Sequence, residues 1–454
     1  MIPHSYRIQI SIAFLALIAT TSPALLQAQP QLQVQYQSSA KSQFRSPAPA
    51  QLQSQSQAQP QSQSQCQAQP QAQSKSQPQS QAQAQAQPQA QSPAWSPSQS
   101  PSRAEAPGPA VIGYYAGRST ALDSFATQKL THIIYSFCHL KGNRLNVNNA
   151  RDTATIQHMI QLKEKNPRLK VILSLGGWGG CKTCPDVFAT RKGRNEFVSS
   201  VKEVLDYFHA DGIDLDWEYP ALSNVPGYPY SPEDKDHFTI LIKKLRKKLG
   251  WSKEISFAAG GFTKYLRTSI DWKKVTPRVN YINLMTYDLV SGYDTISGHH
   301  TPLYSTPQQV ESTDHCVTYL ESIGVPAAKL AIGVAFYARI FGNVDSINNG
   351  LYRPCRFWRG VSYKDQATYL SKDSGFIFHW DPIAQAPYMY NPDKKLFVTY
   401  DDTLSVRLKT RYVLDKKLGG VMFWQLPEDK FTDGLLDVID NTKKAALTTP
   451  AKGQ

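Results

Sequence analysis

Between Val111 and Leu426 the chain repeats one unit eight times: a short apolar run, a loop, then an amphipathic stretch. The runs are Val111–Tyr115, Thr131–Cys138, Lys170–Gly177, Gly212–Glu218, Ile255–Gly261, Tyr281–Asp288, Leu330–Tyr337 and Gly419–Leu426. Each reads as a strand, and the stretches between them read as helices. From Arg191 to Ala210, Phe197, Val201, Val204, Leu205 and Phe208 share one helical stripe. Ser231-Pro232-Glu233-Asp234 reads as the capped start of another helix, which Gly250 closes. Alternating strands and helices place the chain in the α/β class, and eight of them predict a (β/α)8 barrel with its functional residues at the C-terminal ends of the strands. An open doubly wound sheet is the competing arrangement. The count of eight, with no Gly-rich phosphate loop, favours the barrel.

One connection does not fit a simple repeat. Between the seventh and eighth runs, a structureless loop of roughly sixty residues from Ile340 to about Tyr400 would be improbable. They include Tyr352, Phe357, Trp358, Tyr363, Tyr369, Trp380, Tyr388 and Tyr390. A small α+β insertion over residues 341–400 is expected, standing on the functional face of a barrel that spans 108–445.

The N-terminal part is a different material. Arg7, the apolar run Ile10–Ala19 and Leu26-Gln27-Ala28 read as an export signal over residues 1–28. Residues 29–103 are almost all Gln, Ser, Ala and Pro, and such a segment buries too little apolar surface to offset its ordering entropy. It is expected to be a disordered spacer. No later stretch is long and apolar enough to cross a bilayer. The expected protein is therefore secreted, extracellular or periplasmic, with no membrane insertion once the signal is cleaved.

The net charge is +14, and Arg7, Lys41, Arg45, Lys75 and Arg103 all precede the first acid, Glu105. The folded part keeps about +9. Its basic residues are scattered along helix-like segments such as KKLRKKLG, which fits a solvated helix face, and no nucleic-acid motif accompanies them. Among the six cysteines, Cys181 and Cys184 form a C-x-x-C without the second ligand pair of a zinc site. In an exported chain a local disulfide pinning a loop is the better reading, and Cys138 reads as core packing. No metal and no cofactor is expected.

The stretch DGIDLDWEYP, Asp211–Pro220, crowds four acids among core residues. On a strand, Asp214, Asp216 and Glu218 share one face, with Ile213, Leu215 and Trp217 on the other. In a barrel the apolar face packs under helices and the acids climb the interior toward the rim. Three carboxylates in that space cannot all ionise cheaply, so at least one pKa rises and a proton is shared. Glu218, last and longest, is the expected proton donor.

These residues carry a resemblance. Asp211-x-x-Asp214-x-Asp216-x-Glu218 resembles the D-x-x-D-x-D-x-E signature of family 18 glycoside hydrolases, the chitinase family. Ser174-Leu175-Gly176-Gly177, Met285-Thr286-Tyr287-Asp288, Phe336-Tyr337-Ala338-Arg339 and Gly419–Trp424 resemble its third-, sixth-, seventh- and eighth-strand motifs, in order. An insertion between strands seven and eight marks one large branch of the family. The resemblance implies a secreted, monomeric, cofactor-free chitinase that cleaves β-1,4 links between N-acetylglucosamine units. Its mechanism is retaining and substrate-assisted, the nucleophile being the substrate's own acetamido oxygen.

The roles implied follow the motifs. Glu218 protonates the glycosidic oxygen, Asp216 holds the acetamido N–H, Asp214 shares a proton with Asp216, and Tyr287 donates to the acetamido oxygen. Trp424 is the floor for the distorted sugar, and Asp288 binds nearby sugar groups. Met285, Tyr115, Arg339, Gly177, Trp178 and Phe137 are further substrate contacts. Ala338 stands where the family often has Gly, and Ala116-Gly117-Arg118 offers no aromatic subsite. Three other functions stay open: a hydrolase of N-glycan cores or peptidoglycan, a chitin-binding lectin, and an adhesin acting through the Gln-rich tail. Lectin relatives lack the acid that Glu218 supplies here. Tyr287 and the aromatic insertion favour chitin over the other polymers.

Overall fold

The computed structural model describes residues 108–223 and 227–448; the N-terminal signal, the Gln-rich segment and Cys66 lie outside the described residues. Eight parallel strands close on themselves: β1 Ala110–Tyr115, β2 His132–Lys141, β3 Lys170–Gly176, β4 Gly212–Asp216, β5 Glu254–Gly260, β6 Tyr281–Met285, β7 Leu330–Ala335 and β8 Gly420–Trp424. Each pairs with its sequence neighbours, and β8 returns to β1 with Ala110 opposite Gly420 and Gly113 opposite Phe423. The fold is a (β/α)8 TIM barrel.

Alternation along each strand divides the core in two. Val111, Tyr115, Ile133, Val171, Leu173, Ile213, Leu215, Ile255, Phe257, Ile282, Leu284, Ile332, Val334, Val421 and Phe423 point outward, where helices cover them. Ile112, Tyr114, Ile134, Ile172, Ala258, Met285, Ala331, Ala335 and Met422 fill the interior. The expected stripe on helix Arg191–Phe208 is buried at Phe197, Val201, Leu205 and Phe208, with Val204 at its margin. The next helix starts at Asp234, later than the sequence suggests. Ser231 is not its cap: the Asp234 side chain instead accepts the Ser231 N–H at 2.8 Å, closing a turn before the helix. Gly250 ends that helix at φ +65°.

Between β7 and β8 stands a five-stranded antiparallel sheet, in spatial order Arg356–Ser362, Tyr337–Gly342, Leu396–Thr399, Ala386–Asn391 and Ile377–Asp381. Helix Tyr363–Tyr369 accompanies it. The sheet begins at Tyr337, so only Phe336 separates it from β7. Phe336 is fully buried and its ring stacks on Phe423 at 4.2 Å, nearly parallel. Its N–H donates to the Trp424 carbonyl at 2.9 Å, and its own carbonyl accepts the Tyr363 N–H at 2.8 Å.

Cys181 and Cys184 are joined by a disulfide in the loop after β3, while Cys138 and Cys316 are buried free thiols. The same loop starts on a glycine the barrel requires. Gly176 has φ +111°, and a Cβ there would lie 2.2 Å from the Asp216 carbonyl oxygen. Gly176→Ala should therefore lower stability by about 2 kcal/mol or more from backbone strain alone, with the contact added. Urea unfolding checks this; a variant as stable as the parent would show that the close approach is dispensable.

Candidate active site

The acids of β4 occupy three environments. Asp214 is fully buried and accepts four hydrogen bonds: from Ser256 Oγ at 2.6 Å, Ser174 Oγ at 2.7 Å, Tyr114 Oη at 3.1 Å and Asn283 Nδ2 at 3.3 Å. Burial raises its pKa, and these donors pull it back down. Asp216, one pleat higher, is also buried, and its Oδ1 has no hydrogen-bond partner among the described residues. Burial first, then the charges of Glu218 and Asp214, push its pKa well above the ordinary carboxylate value. Glu218 stands two residues past the strand end, half-buried. Burial lifts its carboxyl to about 7, against a lowering hydrogen bond from Tyr219 and with a further rise from Asp288. The fourth acid of the crowded stretch, Asp211, lies before β4 begins and pairs with Lys163 at 2.9 Å.

Asp214 is held by hydroxyls and an amide that oppose its rise, whereas the charges of Glu218 and Asp214 add to the rise that burial gives Asp216.

Asp288 behaves oppositely. Its backbone is left-handed at φ +55°. Arg339 grips both carboxylate oxygens, Tyr337 Oη donates at 2.7 Å, and His300 Nδ1 lies 3.5 Å away. Burial alone would raise its pKa, but the His300 and Arg339 contacts hold it well below the usual range. Arg339 sits on the first strand of the second sheet, so that sheet supplies part of the barrel mouth.

Tyr287 is buried inside the barrel, where its phenol reaches Met422 Sδ at 3.8 Å. Burial and then the charges of Asp216, Asp288 and Glu218 keep that phenol protonated, as a donor must be. Gly333 makes room for it: a Cβ there would lie 2.8 Å from the Tyr287 ring. Met285 fills the same interior cluster. Trp424 ends β8 with its ring stacked on Phe137 at 5.5 Å and tilted against Tyr114 at 5.9 Å. Gly177, at φ +80°, lets Phe137 approach, since a Cβ there would lie 2.4 Å from that ring. Its N–H donates to the Asp216 carbonyl at 2.9 Å. Trp178 is 50% exposed and meets Tyr293 at 6.1 Å. Those two rings come from the loops after β3 and β6, strands that are not neighbours, so their contact crosses the barrel mouth.

Tyr115 requires a correction. It is fully buried in the outer core, with its hydroxyl donating to the Arg118 carbonyl. Strand alternation turns it away from the acids and turns Tyr114 toward them. Tyr114, Ser256 and Asn283 are the contacts that sequence reasoning missed. A polar residue inside an apolar strand was their signal. Tyr337 lay within a quoted motif, whereas His300 had no sequence signal. Glu428 was also missed: it accepts from Gln425 Nε2 at 3.2 Å, and burial lifts its carboxyl to about 7.

A buried ion pair joins the loops of this site. Lys409 Nζ donates to both Asp401 oxygens at 2.8 and 2.7 Å and to the Thr301 carbonyl at 2.7 Å. Thr301 Oγ1 donates to the carbonyl of Thr286, the residue before Tyr287, at 3.1 Å. Asp401 Oδ2 also accepts the N–H of Ala335 at the end of β7. Both charges are fully buried, so losing one partner would cost roughly 3–5 kcal/mol.

The Glu218 shift has a defined sign. Its folded pKa lies above the unfolded value, so the folded state holds the proton more tightly. The stability it contributes is present at low pH and is lost as pH rises from about 4.3 toward 7. Glu218→Gln cannot ionise. The variant should melt higher than the parent at pH 8 and at nearly the same temperature at pH 4. A Tm difference that does not change with pH would refute the assignment.

Comparison with known proteins agrees with this geometry. The model for "Glycosyl hydrolases family 18" matches residues 110–429. "Chitinase A1" of Niallia circulans is 35% identical over 319 residues, covering 65% of this chain and 45% of its own length. "Oviduct-specific glycoprotein" of Mus musculus is 30% identical over 342 residues, covering 71% and 45%. The chain thus spans less than half the length of either relative. Among solved structures, a family 18 N-acetylglucosaminidase from Paenibacillus barengoltzii superposes with a TM-score of 0.68 at 32% identity, covering 74% of this chain and all of that one. From its matched length and the acids lining its closed barrel, this chain belongs to glycoside hydrolase family 18.

Proposed function

We propose that the protein is an exported, monomeric chitinase that hydrolyses β-1,4 links between N-acetylglucosamine units with retention of configuration. The observation that carries this reading is the unpartnered buried oxygen of Asp216 below Glu218. A buried acceptor without a donor costs roughly 1–3 kcal/mol, and a substrate amide N–H at that point would relieve it. An acetamido group held there by its N–H turns its oxygen toward the anomeric carbon, with Tyr287 as the phenol donor to that oxygen. Glu218, protonated near neutral pH, gives its proton to the leaving oxygen. The acetamido oxygen closes on the anomeric carbon to form an oxazolinium ion. Glu218 then takes a proton from the incoming water. Trp424 supports the distorted sugar, and Asp288, fixed by Arg339, accepts from sugar hydroxyls.

A second reading, release of N-acetylglucosamine units from chain ends, draws on the Trp178–Tyr293 contact over the mouth. It also accords with the activity named for the Paenibacillus barengoltzii structure.

Product analysis on N-acetylglucosamine hexamers, with NMR of the first anomer, tests both. The β anomer should appear first, while glucose oligomers and fully deacetylated chitosan stay inert. An α anomer appearing first would overturn the mechanism. Monomer as the sole early product would select chain-end release, and mixed oligomers would select internal cleavage.

A further inference from the structure

The outermost strand of the second sheet, Arg356–Ser362, turns successive residues to different surroundings. The Phe357 ring is half-buried and faces the Arg339 guanidinium at 5.3 Å, the same group that grips Asp288. Next to it a bulge interrupts the pairing with Tyr337–Gly342, and Trp358 emerges 54% exposed. The guanidinium of Arg359 lies 4.8 Å from the Trp358 ring centroid and 4.9 Å from that of Tyr369. Tyr369 ends the accompanying helix and is 50% exposed. Arg359 Nε has no hydrogen-bond partner among the described residues. Two half-exposed rings therefore flank one cation that is held by stacking, at a free sheet edge, one residue from the wall of the catalytic cleft.

That chemistry suits a neutral sugar chain. Flat rings match the apolar faces of pyranoses, and a guanidinium donates to hydroxyl and acetamido oxygens. We propose that Trp358, Arg359 and Tyr369 form a second, non-catalytic binding site for an N-acetylglucosamine polymer, which holds the enzyme on insoluble chitin. Arg359 lies on the sheet face opposite the one that carries Phe357 and Arg339. The inference rests on the proposed function in its choice of polymer. The site needs no catalytic group, and it lets a neighbouring strand of the same solid be gripped while another occupies the cleft.

The test uses the full chain. Partition onto insoluble chitin is measured for the wild type, for W358A/Y369A, and for W251A as a control. Trp251 is also exposed and stacks on Arg246, next to β5 but at the barrel end away from the site. Loss of two aromatic contacts should weaken partition roughly tenfold in W358A/Y369A and leave W251A unchanged. Arg359→Lys keeps the charge but loses the flat stack, so it should fall between wild type and the double variant. Partition by W358A/Y369A equal to wild type, at an unchanged melting temperature, would overturn the proposal, as would an equal loss in W251A. Turnover of a soluble trimer by the wild type is scored separately. Its absence would remove the chitinase reading itself, whatever the partition data show.

Discussion

Four donors from four strands converge on the Asp214 carboxylate: Tyr114 from β1, Ser174 from β3, Ser256 from β5 and Asn283 from β6. Burying a carboxylate without such partners costs several kcal/mol, so each donor must be at its level in the barrel for the fold to close. The pairing meets that demand, with Ser174 and Ser256 lying directly opposite Asp214. One buried carboxyl thereby ties five strands in register and sets the height at which Asp216 and Glu218 stand above it.

From that fixed point the site separates its carboxyls by environment. Burial raises the pKa of Asp216 and Glu218, while Asp288, clasped by Arg339, Tyr337 and His300, is held well below the usual carboxylate range. Acids pushed apart in this way take different tasks within a few residues of one another. The Lys409–Asp401 pair steadies the arrangement from behind. It ties the backbone before Tyr287 to the end of β7, so the phenol and the Asp288 clasp are supported by the same buried charges.

Much of this was legible in the sequence because strand alternation is a strict rule. The eight strands, the inward acids and the outward Ile213 and Leu215 all follow from it. The resemblance put Tyr115 in the cleft; the same alternation rule, applied to β1, turns Tyr115 outward and gives the inward place to Tyr114. Helix starts were less legible, since Ser231 could cap locally or close a turn, and packing around Asp234 decided for the turn. Contacts between distant segments left no local pattern at all. Lys409 reads as one more basic residue on an amphipathic helix, and nothing near it points to Thr301 or Asp401. His300 and Glu428 entered the site through loops whose paths only the folded chain defines.

Phe336 carries one more consequence. Its ring is clamped on Phe423 and its backbone is bonded on both sides, yet it alone connects β7 to the strand that bears Tyr337 and Arg339. That joint is a weld and not a hinge. The cleft wall made by the second sheet is thereby anchored to the barrel at a buried, fully bonded residue. On the proposed function, accommodation of thicker or branched chains would fall to the exposed rings of Trp178 and Tyr293. Selection acting on substrate width would change those loops and leave the wall untouched.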